Sequence, residues 1–202
     1  MTACATGEQL LATKLIDHGA NIRAISHTGK TPLHRAAFEG KAHMIPLLIA
    51  NGAALEAKTL GKYQGFTPLH MAAGSPSDAS DTVELLLQAG ADKDATSEYL
   101  STPLHIASKN HNKACLSCLL RYGANPNAAD RRGWTSLDSA MGHMEICKAL
   151  LDHGANPTIS IKNVGNTPSG VHMENDLSST RKKSIFTLLK EHEKTWKQSS
   201  KK

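Results

Sequence analysis

The chain has 202 residues, 40% of them apolar, which suffices for the core of one large domain or two small ones. Its longest apolar run, Met44–Ala50, is seven residues with Pro46 inside it, against the roughly 20 a bilayer crossing takes, and no basic stretch leads into an apolar one at the N-terminus, so neither a membrane span nor a secretory signal is expected. Four cysteines suit a reducing compartment, so a cytoplasmic location is expected, with the nucleus as an alternative, and the net charge of +5 lies in residues 181–202, whose eight Lys/Arg face only Glu191 and Glu193; the near-neutral body is not the basic face that binding nucleic-acid phosphates needs.

Two markers recur and set the organisation. Thr-Pro-Leu-His occurs at Thr31–His34, Thr67–His70 and Thr102–His105, then weakens to Thr135-Ser136-Leu137-Asp138 and Thr167-Pro168-Ser169-Gly170, at intervals of 36, 35, 33 and 32 residues. Gly-Ala follows at Gly19, Gly52, Gly90, Gly123 and Gly154, at intervals of 33, 38, 33 and 31. Residues 1–25 read as half a unit, because setting Gly7 against Gly40 brings Ala3 and Cys4 onto Ala36 and Ala37. Either Glu8–His18 is a lone capping helix or the chain is part of a longer array.

Residues 26–58 hold the first whole unit. Thr31 is placed to N-cap a helix with Pro32 at its first position, and Leu33, Ala36 and Ala37 predict a short helix of small residues. A second helix carries Ile45, Leu48 and Ile49 on one face, tolerates Pro46 in its first turn, and stops at Gly52, where a left-handed residue is wanted. Residues 59–96 repeat the pattern with Val83, Leu86 and Leu87, adding about three residues in the loop Lys58–Gly65 and two around Gly74–Ser77. Residues 97–129 are regular, and residues 130–162 are shorter, with the first helix clipped near Met141. Residues 163–196 read as a divergent C-terminal cap with Ile185, Phe186, Leu188 and Leu189 as its apolar set, and 197–202 as a basic disordered tail.

A period near 33 residues carrying T-P-L-H-x-A is the ankyrin signature, and from about residue 3 to residue 196 the chain resembles the ankyrin-repeat family. The resemblance implies an all-α ankyrin-repeat solenoid of stacked helix-turn-helix units with hairpin-like finger loops. It also implies that His34, His70 and His105 hydrogen-bond backbone between units. In function it implies a non-catalytic protein–protein interaction module, an adaptor or scaffold, with its partner on the concave surface of fingers and inner helices. The resemblance also sets Asn127 in the slot where ankyrin repeats can be hydroxylated by an asparaginyl hydroxylase.

The chemistry-bearing residues do not assemble into an active site. His34, His70 and His105 are one unit apart, about 10 Å for stacked helices, whereas ligands of one metal ion sit near 2.0 Å. His18 and His153 precede helix-ending glycines, where a cation suits the helix dipole. Cys115 and Cys118 form a single C-x-x-C that aligns with Ile146 and Ala149 on the buried side of a helix, so core packing outweighs a zinc site. Phosphate-binding glycine loops, G-x-S-x-G and H-E-x-x-H are absent from the sequence. The expectation is no catalytic residue, no cofactor and no metal.

The aromatics carry more. Tyr63, Phe66, Tyr99 and Trp134 fall just before the motif, Phe38 lies on the outward part of a first helix, and Arg131 and Arg132 share a finger with Trp134. Interfaces concentrate their energy in Trp, Tyr and Arg, so Phe38, Tyr63, Phe66, Tyr99, Arg131, Arg132 and Trp134 are the candidate contacts, packing against neighbours being the competing role for each. With Lys30, Arg35, Lys62 and Lys109 at related positions, the expected partner is a protein with an acidic or mixed apolar-acidic surface, bound by a monomer; neither nucleic acid nor membrane is expected. The basic tail, with Arg181-Lys182-Lys183 and Trp196, supports a second reading as a regulatory or targeting factor, such as a transcription cofactor or host-directed effector.

Overall fold

A computed structural model describes residues 1–61, 65–140, 142–159 and 187–194. Tyr63, Lys62, Met141, the motif remnant at Thr167, Ile185, Phe186, Trp196 and the basic tail from Arg181 to Lys183 lie outside the described residues. Among the described residues the regular structure is helical, with no strand. One compact unit, Met1–Ala124, holds four helix pairs: α1 (Thr2–Thr6) with α2 (Gln9–Asp17), α3 (Pro32–Phe38) with α4 (Met44–Ala50), α5 (Pro68–Ala73) with α6 (Ser80–Gln88), and α7 (Pro103–Lys109) with α8 (Lys113–Arg121). A second unit, Asn125–Lys202, holds the pair α9 (Ser136–Ser139) and α10 (Met144–Asp152), and residues 187–194 are helical there with Leu189 buried.

In the pairs that carry the motif, its residues cap the first helix with a reciprocal box. Thr31 Oγ1 accepts from the His34 backbone N–H at 3.4 Å, while His34 Nδ1 accepts from the Thr31 N–H at 3.1 Å. Thr102 and His105 repeat both bonds, and Pro32, Pro68 and Pro103 occupy the first helical turn, where a missing N–H costs nothing. The weakened motif keeps the device: Asp138 Oδ2 accepts from the Thr135 N–H at 2.7 Å and its hydroxyl at 2.9 Å. The shortening near Met141 leaves α9 only four residues long.

Within Met1–Ala124 the inner helices α1, α3, α5 and α7 pack on one another in order, and α4, α6 and α8 form the outer row. Small residues let the inner row close up, since Ala36, Ala37, Ala72, Ala73 and Ala107 are buried. The segment expected as a lone capping helix is not alone: α1 precedes it and packs on α3 through buried Ala3 and Cys4. Each outer helix presents the same slots. Four residues before the stop glycine, Leu48, Leu86 and Leu119 are fully buried, whereas Leu15 of α2 is 46% exposed. Eight residues before it, Met44, Thr82 and Cys115 are buried, whereas Leu11 is 44% exposed. Among the described residues, α2 has no earlier helix pair to cover that side.

Candidate functional site

The loops joining successive pairs form fingers, closed by one recurring hydrogen bond. Ser26 N–H donates to Lys30 O at 3.0 Å, Thr59 N–H to Phe66 O at 3.0 Å, Ser97 N–H to Ser101 O at 3.0 Å and Asp130 N–H to Trp134 O at 2.8 Å. The extra residues of the second finger lie between Thr59 and Phe66, inside the closing bond. Adjacent fingers of the first unit lock together, Leu60 N–H donating to Thr28 O at 2.8 Å and Lys58 Nζ to Thr96 O at 3.2 Å. Fingers are therefore braced main chain, and whatever stands on them is held in place.

The buried histidines set the finger positions. Because His34 Nδ1 accepts from Thr31, its proton sits on Nε2, which donates to Phe66 O at 3.0 Å on the next finger. His70 does the same, accepting from the Thr67 N–H at 3.2 Å and donating to Ser101 O at 2.9 Å. Burial holds both rings neutral, pushing the His34 pKa down and the His70 pKa down to about 4. His18 and His153, in contrast, are exposed and bond the last-turn carbonyls of Lys14 at 2.7 Å and Ala149 at 2.9 Å.

The candidate contacts divide by surroundings. Phe66 is half-buried, its ring stacked on His70 with centroids 5.1 Å apart, so it braces the finger base. Phe38 is half-buried under Lys30, whose Nζ stands 5.7 Å from the ring centroid. Tyr99 is 52% exposed at the third finger tip. In the second unit Arg131 and Arg132 are exposed and Trp134 is half-buried, on a turn that Asp130 ties by accepting from the N–H groups of Arg132 at 2.8 Å and Trp134 at 3.0 Å. Thus Phe38, Phe66 and Tyr99 belong to one unit, and Arg131, Arg132 and Trp134 to the other. Cys115 and Cys118 are buried in α8; burial raises both thiols, Cys115 to about 12.

Neither aromatic nor charged, Ile25 beside the first finger, Leu60 on the second and Leu100 on the third are also exposed, by 64%, 54% and 46%. Leu100 had a legible signal. The residue two before each motif threonine reads Gly29, Gly65, Leu100, Gly133 and Gly165, a glycine slot broken once by a large apolar side chain.

A family model for ankyrin repeats (3 copies) matches residues 1–97 and 77–161. The chain is 34% identical over 140 residues to the ankyrin repeat protein nuc-2 of Neurospora crassa, covering 68% of this chain and 13% of that protein. It is 34% identical over 142 residues to the mouse ankyrin repeat and SOCS box protein 16, covering 63% of this chain and 31% of that protein. Human Rabankyrin-5 is 30% identical over 167 residues, 78% of this chain and 14% of its own length. The chain therefore spans under a third of the length of these relatives. Ankyrin repeats are non-enzymatic modules of protein–protein interaction, and with its capping boxes, stop glycines and braced fingers this chain belongs to the ankyrin-repeat family.

Proposed function

We propose that the chain is a non-catalytic adaptor or scaffold module that holds a protein partner against its fingers and inner helices. The observation that carries this reading is the finger from Asp130 to Trp134. Its closing bond and the two N–H groups held by the Asp130 carboxylate fix the turn before any partner arrives, so little ordering entropy is lost on binding. Arg131 and Arg132, consecutive in sequence, stand exposed on that fixed tip, and two arginines on one finger suit a carboxylate-bearing surface. Trp134 at the base supplies apolar area beside them, which fits a mixed apolar-acidic partner.

The test is an affinity pull-down from a matched cell extract, comparing the intact chain with the Arg131→Ala/Arg132→Ala/Trp134→Ala variant by quantitative mass spectrometry. A protein lost from the variant supports the finger, with a cost on the order of 2–4 kcal/mol if it is a hot spot. The Arg131→Ala/Arg132→Ala pair separates binding from folding, because both side chains are exposed and their removal leaves the unfolding midpoint nearly unchanged. Identical proteins on intact and variant chains would overturn the assignment.

A second reading, a regulatory or targeting factor, rests on the eight Lys/Arg of residues 181–202. Deleting those residues and following where the chain accumulates in cells tests it, since an adaptor without a targeting role keeps its location.

A further inference from the structure

The four fingers turn through the same left-handed residue, two positions before the motif threonine. Gly29 has φ 71°, Gly65 φ 76° and Gly133 φ 80°, and Leu100 holds the equivalent place at φ 58°. A bulky L-residue there forces its β-carbon against the following carbonyl, which glycine avoids. At Gly29 and Gly65 a β-carbon is excluded a second time, because it would stand 2.6 Å from the Leu60 backbone nitrogen and 2.8 Å from that of Glu98 on the next finger. The third finger departs from this pattern and accepts the strain. Leu100 is nevertheless left 46% exposed, so the strained position is not that of a core side chain.

The neighbours of Leu100 form a setting for it. Tyr99, beside it on the tip, is 52% exposed. Glu98 is exposed at the other end of the same turn. Strained residues persist where they are over-determined or where function uses the geometry. Here the left-handed backbone leaves an apolar side chain half exposed, next in the turn to an exposed tyrosine and an exposed carboxylate.

We propose that Leu100, with Tyr99, is an apolar anchor on the third finger tip that docks a segment of a partner protein. The segment would present a large apolar side chain next to a lysine or arginine, the basic neighbour being selected by Glu98. This rests on the interaction-module reading and names a contact in the Met1–Ala124 unit separate from the Arg131/Arg132 finger.

The proposal makes binding and stability move in opposite directions. In the full chain, Leu100→Gly relieves the backbone and raises the thermal midpoint by about 2–4 °C, whereas the same change removes the anchor. The probe is a phage-displayed library of short random peptides selected on the wild-type chain. The expected result is enrichment of peptides with a large apolar residue beside Lys or Arg. Leu100→Gly should weaken their binding about tenfold or more, and Glu98→Gln should weaken it by a smaller factor that shrinks further in high salt. Selected peptides that bind Leu100→Gly as tightly as wild type overturn the proposal, as does a midpoint that falls in that variant, which would make Leu100 a packing residue. Peptides kept by Leu100→Gly but lost by Arg131→Ala/Arg132→Ala overturn the tip anchor and leave the module reading standing. A selection yielding no peptide also overturns the anchor, while the module reading still answers to the extract pull-down.

Discussion

The side-chain amide of Asn127 clasps the glycine that ends α10: Nδ2 donates to the Gly154 carbonyl at 3.0 Å, and Oδ1 accepts from the Asn156 N–H at 2.7 Å. The same slot, four residues after the stop glycine, recurs in the first unit with half the device. Arg23 Nε donates to the Gly52 carbonyl at 2.9 Å, and Glu56 Oε1 accepts from the Asp92 N–H at 2.9 Å. A guanidinium only donates and a carboxylate only accepts, whereas an amide does both. Asn127→Ala should therefore cost about 1–3 kcal/mol in urea unfolding. Asn127→Asp should cost a comparable amount, since it keeps the acceptor but sets a charge against the Gly154 carbonyl. A loss under about 0.5 kcal/mol in both variants would mean that water replaces the clasp without penalty.

Leu48 and Leu15 occupy one slot in two helix pairs, and their burial separates what each contributes. Leu48 is fully buried and Leu15 is 46% exposed. Leu48→Ala should cost about 2–5 kcal/mol through lost transfer energy and a residual cavity, and Leu15→Ala less than about 1 kcal/mol. Chemical denaturation of both variants checks the ratio. Equal losses would mean that the Leu15 side of α2 is covered in solution.

How far the sequence disclosed this molecule depends on which period its signals follow. The capping boxes were legible at Thr31, Thr67 and Thr102 because a cap is local chemistry within four residues, and even the Thr135–Asp138 remnant keeps its geometry. That His34 bonds backbone in the next unit is what the family resemblance implies; that the acceptor is Phe66, 32 residues away, is visible only in the structure. The aromatic set was less transparent. Phe66 and Tyr99 both precede a motif threonine by a few residues, yet one ring stacks on His70 and the other stands in solvent. Composition flags both alike, since it carries no information on which way a finger turns. Leu100 went unnoticed for the opposite reason, being neither aromatic nor charged, and its signal appears only when equivalent backbone positions are aligned.

The neutral histidines predict acid sensitivity with a definite sign. His70 accepts a backbone N–H on Nδ1 and titrates at about 4 in the fold because it is buried, against an ordinary value of 6.5. Between those values the unfolded chain binds the proton and the folded chain does not, so stability is present above about pH 6.5 and is lost as pH falls toward 4. His34 is shifted in the same direction and adds to the slope. Urea midpoints should fall steadily from pH 7 to pH 4.5. His70→Gln, although less stable at pH 7, should show a shallower fall. An unchanged slope in that variant would place the acid sensitivity elsewhere.

Cys115 and Cys118 lie in the core, as their alignment with Ile146 and Ala149 predicts, and their burial makes a claim about thiol reactivity. Both thiols are buried, and burial pushes Cys115 up to about 12 and, in the second unit, Cys147 up to about 11. The thiolate is the reacting species, so at pH 7 these sulfurs should be almost inert. Arg121 Nη2 lies 3.8 Å from Cys118 Sγ and opposes its rise, which makes Cys118 the more reactive of the α8 pair. Ellman's reagent should label the native chain slowly, at a rate set by local opening, and reach all four thiols promptly once guanidinium unfolds it. Adding Cys115→Ala should leave the native labelling rate little changed if α8 stays closed, at a stability cost from the small cavity. Rapid labelling of two thiols in the native chain would show instead that α8 opens on the assay timescale, and the pair would then be available for redox chemistry.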